Sequence, residues 1–393
     1  MTRTEKFVSE LCTKAFLPLW SHPNPIGKKG KELCDILIVC NNVIVIISVK
    51  EIVINEIKSK VDYDRWAKRA IDDSVKQIYG AERFILDKES VILFDKKTKT
   101  QLPHVDSRKI YRIAVAFGRG EVFPLKYGNF GKGFVHVLDE TSIQTILNEF
   151  DTIADFVNYL DSKEEFIKAG GFPLNESEND LIGYYIFNSN SFSTQDHDLL
   201  ILDNDIWTIL QTNQDYIDMK KAEKVSYIWD KLINTLCHDY LTNNLINQIS
   251  REDIETSIQL MAKETRSSRK ILSELFLEFI GVYEEPKSAA RIVRSMENKD
   301  VVYVFMLNND SHKERNDRAK DLQMRCFVAR SKHQDIKTVI GLATERYNPK
   351  GYSLDVCYLH IPEWTDELNS DAMQISETLN LFNNPIEQHR KMK

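Results

Sequence analysis

The sequence predicts a mixed α/β (α+β) protein. Two β-branched apolar runs, 33–40 and 43–50, flank an Asn41-Asn42 turn, and helical periodicity brackets them over 5–17 and 62–86. Strand–helix alternation then returns over 301–361, after a mostly helical stretch. At roughly 150 residues per domain, 393 residues suit two or three domains.

Taken in order, the first helix carries Val8, Leu11, Cys12, Ala15 and Leu19 on one stripe. The turn-rich Ser21-His22-Pro23-Asn24-Pro25 and a basic loop over 26–31 lead into the two strands. Their Asn41-Asn42 connection suits a tight hairpin. In the second helix Trp66, Ala70, Ile71, Ser74, Ile78, Ala81 and Ile85 form the apolar face, with Asp62 or Asp64 as the cap. Strands are expected over 90–94 and 109–117, before a glycine-rich stretch at 118–133. Residues 141–169 read as a helical connector, ended by Gly170-Gly171-Phe172-Pro173. Beyond it, 174–285 hold one β-like run at 199–202 and otherwise helix. A strand (301–307), a helix (314–330) and two strands (338–344, 355–361) follow. The expected divisions are therefore 1–140, a connector over 141–170, a mostly helical region over 171–295, and a small α/β domain over 296–393.

Composition excludes several classes. With 42% hydrophobic and 28% charged residues, the chain is not collagenous, mucin-like or disordered. Its longest apolar run, 43–49, is too short to span a bilayer, and no secretory signal pattern opens the sequence. Cys12, Cys34, Cys40, Cys237, Cys326 and Cys357 show no zinc or disulfide spacing. A reduced, cytoplasmic protein without a membrane partner is expected. Charge is uneven: residues 1–140 hold 24 basic against 18 acidic residues, and the remainder 28 against 41. A basic N-terminal domain suits phosphate neutralisation, whereas the acidic remainder suits protein partners, a second copy or a small-molecule signal.

The chemistry concentrates in Gly30-Lys31-Glu32-Leu33-Cys34-Asp35 and Ile47-Ser48-Val49-Lys50. Each of two apolar strands admits one charged residue, Asp35 or Lys50. A buried ion pair is costly unless it serves a purpose, so the pair reads as functional. Ser48 and Lys50 share a strand face because side chains alternate with period two.

These residues, in the order helix, strand, strand, helix, strand, resemble the PD-(D/E)xK nuclease superfamily over about the first 140 residues. The resemblance implies a restriction-endonuclease-like N-terminal domain and Mg²⁺-dependent (or Mn²⁺-dependent) phosphodiester hydrolysis. Asp35 becomes the main metal ligand, and Lys50 orients and helps deprotonate the attacking water. Ser48 stands where the family has Asp or Glu and becomes a weaker, neutral ligand. Either fewer carboxylates hold the metal or another acid substitutes; Glu32 and Glu51 are candidates, Glu51 being expected to point away from Lys50. An acid on the first helix often completes such sites. Glu5, at the border of the Val8/Cys12/Phe16 face, is preferred to Glu10 as that ligand. Gln77, on the flank of the second helix, matches a Gln that reaches the active site in several branches; a Gln bonded to backbone is the alternative.

Lys28, Lys29 and Lys31 are expected to grip phosphates as point charges, although the loop lacks Walker spacing. DNA is preferred to RNA as the substrate. A basic nuclease on an acidic body is similar to effectors of bacterial anti-phage defence. An inactive nuclease-like module that binds DNA or assembles, or an RNA-cleaving enzyme, are the rival readings. The glycines of 118–133 match no dinucleotide fingerprint, and Glu314-Arg315-Asn316-Asp317-Arg318 reads as an exposed helix face.

Overall fold

A computed structural model describes residues 1–53, 59–118, 125–174, 177–192, 199–201, 205–242, 249–282, 289–308, 315–345 and 353–382. The chain is a mixed α+β protein that divides into two compact units, 1–221 and 222–393. Glu314, and 119–124 of the glycine-rich stretch, lie outside the described residues.

The first unit runs α1 (Arg3–Phe16), β1 (Ser21–Pro23), β2 (Ile36–Cys40), β3 (Val43–Glu51), α2 (Lys60–Ala67), α3 (Asp73–Leu86), β4 (Ser90–Ile92), β5 (Lys99–Gln101), β6 (Lys109–Phe117), β7 (Gly128–Asn129), β8 (Phe134–Leu138), α4 (Glu140–Glu149), α5 (Ile153–Lys168), β9 (Phe172–Leu174), α6 (Glu178–Phe187), β10 (Leu199–Ile201), α7 (Ile206–Thr212) and α8 (Gln214–Glu223). Its main sheet has the order β1-β2-β3-β6-β8-β7. The β1–β2, β2–β3 and β7–β8 pairs are antiparallel; β3–β6 and β6–β8 are parallel. Cys40 pairs with Val43, so Asn41-Asn42 alone makes the hairpin turn, with Asn41 at φ 55°.

Strand alternation sorts the two faces. Leu37 and Val39 of β2, Ile44 and Ile46 of β3, Ala114 and Ala116 of β6, and Val135 and Val137 of β8 share a core with Trp66, Ala70, Ile71, Val75 and Ile78. That face is roofed by α2 and α3. The other face receives α1, α4 and α5: Phe7 meets Phe117 edge-on at 6.4 Å, and Phe16 meets Phe156 at 5.0 Å. The segment expected as a connector thus packs within this unit as α4 and α5. The helix expected over 62–86 is interrupted by a π-helical turn at Lys68–Asp72. Strands β1, β5, β7, β8 and β9 are additional to those expected. The first three have at most three residues each, too few for a periodicity signal, and β9 carries Pro173.

The second unit comprises α9 (Tyr227–Thr242), α10 (Arg251–Ala262), α11 (Arg266–Val282), β11 (Ala289–Arg294), β12 (Val301–Leu307), α12 (Arg315–Lys332), β13 (Thr338–Thr344), β14 (Leu354–His360) and α13 (Asp366–Leu379). Its sheet has the order β11-β12-β13-β14; β12 and β13 are parallel and joined through α12. Val302, Val304, Met306, Leu322, Cys326 and Ala343 form a core on one side. Tyr303 and Phe305 meet Trp229 and Phe276 on the other. Gly341 permits the close approach of α12, since a Cβ there would lie 2.5 Å from the Cys326 sulfur. Arg318 corrects the expectation of an exposed helix face. It is buried, donating to Asp355 at 2.5 Å and to Glu345, because the start of α12 covers the ends of β13 and β14.

The acidic excess after residue 140 is unevenly divided between the two units. Residues 141–221 hold 4 basic against 15 acidic residues, whereas 222–393 are nearly balanced at 24 against 26. Most of the excess therefore belongs to residues 141–221, within the first unit. All six cysteines are buried, and none is in a disulfide. Among the described residues, no helix is long and apolar enough to cross a membrane.

Candidate active site

The β2 ladder ends at Ile36, paired with Ile47. One residue earlier, Asp35 replaces a backbone acceptor with its own carboxylate, which accepts the Val49 N–H at 2.6 Å. Asp35 shares the parity of Leu37 and Val39, and Ser48 and Lys50 that of Ile44 and Ile46. All three therefore face the side covered by α2 and α3. Gln77 approaches from α3, where its Oε1 accepts the Ser48 hydroxyl at 3.0 Å. Ser48 is fully buried and Lys50 half-buried.

Glu32 joins this group from the loop before β2. Its carboxylate is hydrogen-bonded to Asp35, and it accepts the Asn24 side-chain N–H at 2.8 Å. Burial raises the Asp35 carboxyl to about 7; Glu32 adds to the rise, while the Val49 N–H and the Lys50 charge oppose it. The negative charge of Glu32 beside it disfavours the ionised form of Asp35. Lys50 also acts on Asp73 at the start of α3, whose carboxyl is lowered chiefly by its hydrogen bond to Lys76.

Glu5 belongs to a different set of contacts. Its carboxylate accepts the Thr2 backbone N–H at 2.7 Å while the Thr2 hydroxyl accepts the Glu5 N–H at 3.2 Å, a capping box at the start of α1. Thr4 beside it donates to Glu51 at 3.3 Å, and Glu51 has the opposite strand parity to Lys50. Glu5 is half-buried and Glu10 exposed, but Glu5 serves its own helix end.

Lys28, Lys29 and Lys31 are exposed on a short 3₁₀ turn, Lys28–Gly30. The loop is closed by the Gly27 N–H donating to the Lys31 carbonyl at 2.7 Å. Lys29 and Gly30 both take positive φ, 57° and 74°. The three ammonium groups therefore lead directly into Glu32. Neither Asn24 nor the π-helical turn is signalled by the sequence as part of the site. Asn24 reads as a turn residue between two prolines, and one extra residue in a helix leaves no compositional trace.

Among the described residues, no three His, Cys, Asp or Glu side chains converge as a metal set. The donors present still suit Mg²⁺. That ion is commonly held by one or two carboxylates, with waters and substrate phosphate completing its octahedron. Asp35 and Glu32 are the carboxylates, and a dication bound between them would offset their repulsion. No family model, curated protein or solved structure matches the chain.

Proposed function

We propose that the protein is a Mg²⁺- or Mn²⁺-dependent endonuclease acting on DNA, its first unit a restriction-endonuclease-like domain. One observation carries the reading: Asp35, Ser48 and Lys50 face the same side of the sheet, beside a mainly apolar core, and Gln77 from α3 and Glu32 from the loop before β2 meet them there. Charged and polar groups held in such a setting usually serve a reaction or a ligand.

Asp35 and Glu32 would hold the metal, which when bound supplies charge neutralisation at the phosphate and an acidified water. The Val49 N–H fixes the Asp35 carboxylate. Lys50, on the same face, orients the attacking water and offsets charge developing on the phosphate oxygens. Gln77 holds the Ser48 hydroxyl, so both are positioning groups beside the nucleophile's approach. Lys28, Lys29 and Lys31 hold the nucleic-acid backbone as point charges. In the same reading the protein is a cytoplasmic effector of bacterial anti-phage defence, its second unit taking a protein partner, a second copy or a small-molecule signal. The presence of a separate compact α/β unit supports that extension.

The test is cleavage of plasmid DNA and of RNA with Mg²⁺, Mn²⁺ or EDTA. Wild type should nick plasmid only with metal, and Lys50→Ala should lose at least 100-fold in rate while melting normally. Equal cutting by Lys50→Ala, or the absence of metal-dependent cutting, overturns the reading. Preferential RNA cleavage would reassign the substrate.

A further inference from the structure

Ser48 gives the candidate centre a neutral hydroxyl and no second carboxylate, and the structure offers two further oxygen donors from the segment before β2. Asn24 is 7% exposed, an unusual burial for an amide, and takes φ 47°. Its backbone N–H donates to the Asp35 carbonyl at 2.9 Å, tying it to the main acid. Its side-chain N–H donates to Glu32 at 2.8 Å. A carboxylate only accepts, so the amide orientation is fixed and Oδ1 is the other atom. That Oδ1 is buried with no hydrogen-bond partner. A buried acceptor left unpaired costs roughly 1–3 kcal/mol. It is on the same amide as the group that holds Glu32, and Glu32 is bonded to Asp35.

We infer that Asn24 Oδ1 and Glu32 are donors to the divalent cation alongside Asp35, so that the second carboxylate comes from the loop before β2 and not from the strand position of Ser48. The inference rests on the metal-centre reading above. An all-oxygen set of two carboxylates and one amide carbonyl selects hard cations, Mg²⁺ and Mn²⁺, over zinc. The amide has two tasks: its N–H orients Glu32 and its carbonyl faces the ion. This differs from an ordinary buried turn amide, whose two ends would both be satisfied within the protein.

Mn²⁺ binding to the full-length protein, followed by the loss of the free-ion EPR signal and by thermal shift, separates the possibilities without recourse to activity. Glu32→Gln keeps shape and the acceptor for Asn24, and should weaken Mn²⁺ binding at least tenfold. Asn24→Asp tolerates the same backbone but places a third carboxylate beside Glu32 and Asp35. It should melt lower than wild type without metal and gain more than wild type on adding Mn²⁺. If wild type binds Mn²⁺ and Asp35→Ala abolishes it, while Glu32→Gln binds as wild type and Asn24→Asp shows no added gain, the inference is overturned and the metal centre keeps Asp35 without Glu32. If wild type takes up no Mn²⁺, or Asp35→Ala binds undiminished, both fall.

Discussion

Asp35 is held as an acid that ionises reluctantly, and this has a defined effect on stability. Burial raises its carboxyl from 3.8 to about 7, so between those values the folded state keeps a proton that the unfolded chain releases. The group's stabilising effect is complete below pH 4 and is lost as pH rises through 7. Asp35→Asn, which can still accept the Val49 N–H, should therefore melt several degrees above wild type at pH 8 and close to it at pH 4. Melts across that range decide it; if the Asp35→Asn variant melts lower than wild type at pH 8, the carboxylate is a net stabiliser. The Val49 N–H bond also gives a direct reading of the site. Its amide shift should titrate near pH 7 and move on adding Mg²⁺, while the Val45 amide, deeper in the same strand, stays still. Asp35 and Lys50 are legible in the sequence because each is a charge set against an apolar run, Asp35 just before β2 and Lys50 near the end of β3. Ser48 and Gln77 are legible through period two and helical spacing. Asn24 is not, because burial of a turn residue depends on what the chain later packs over it. Glu32 stands among alternatives for the same reason, its role arising from contact with Asp35 and not from spacing.

At the scale of elements, the long β3–β6 core is readable from continuous β-branched runs, since strands buried on both faces need apolar residues at every position. Helix ends are less so. Glu5 shows why: on a helical wheel it borders the buried face, and the same position, three residues past Thr2, is also the N3 site of a capping box. Thr2→Ala and Glu5→Ala should each cost about 1 kcal/mol of stability. Because the contacts of Glu5 are spent on α1, Glu5→Gln should leave Mn²⁺ affinity within twofold of wild type. A tenfold loss would return Glu5 to the metal centre. The π-helical turn at Lys68–Asp72 lies just before Gln77, and such turns recur at functional sites. Periodicity alone draws one continuous helix there, because a single inserted residue shifts the phase without ending the apolar stripe.

For the whole first unit, charge placement matters more than net charge. Lys28, Lys29 and Lys31 together should contribute nearly 3 to the slope of log affinity against log salt, at about 0.9 for each phosphate contact. Replacing all three by Gln should flatten the measured slope by up to that amount; an unchanged slope would remove the loop from the interface. The unit as a whole carries 28 basic against 33 acidic residues, so a uniform distribution would repel nucleic acid. Instead three positive charges stand together at the 28–31 loop, while α4, where the acidic stretch begins, lies against the sheet face opposite Asp35 and Lys50, with α6 packed on it. To an approaching polyanion that loop is a local attractive patch on a unit of net negative charge. Such a molecule gains little in final affinity but is turned during encounter, before contact, so that the basic loop arrives first. Salt should then slow association steeply and leave dissociation from bound DNA far less changed.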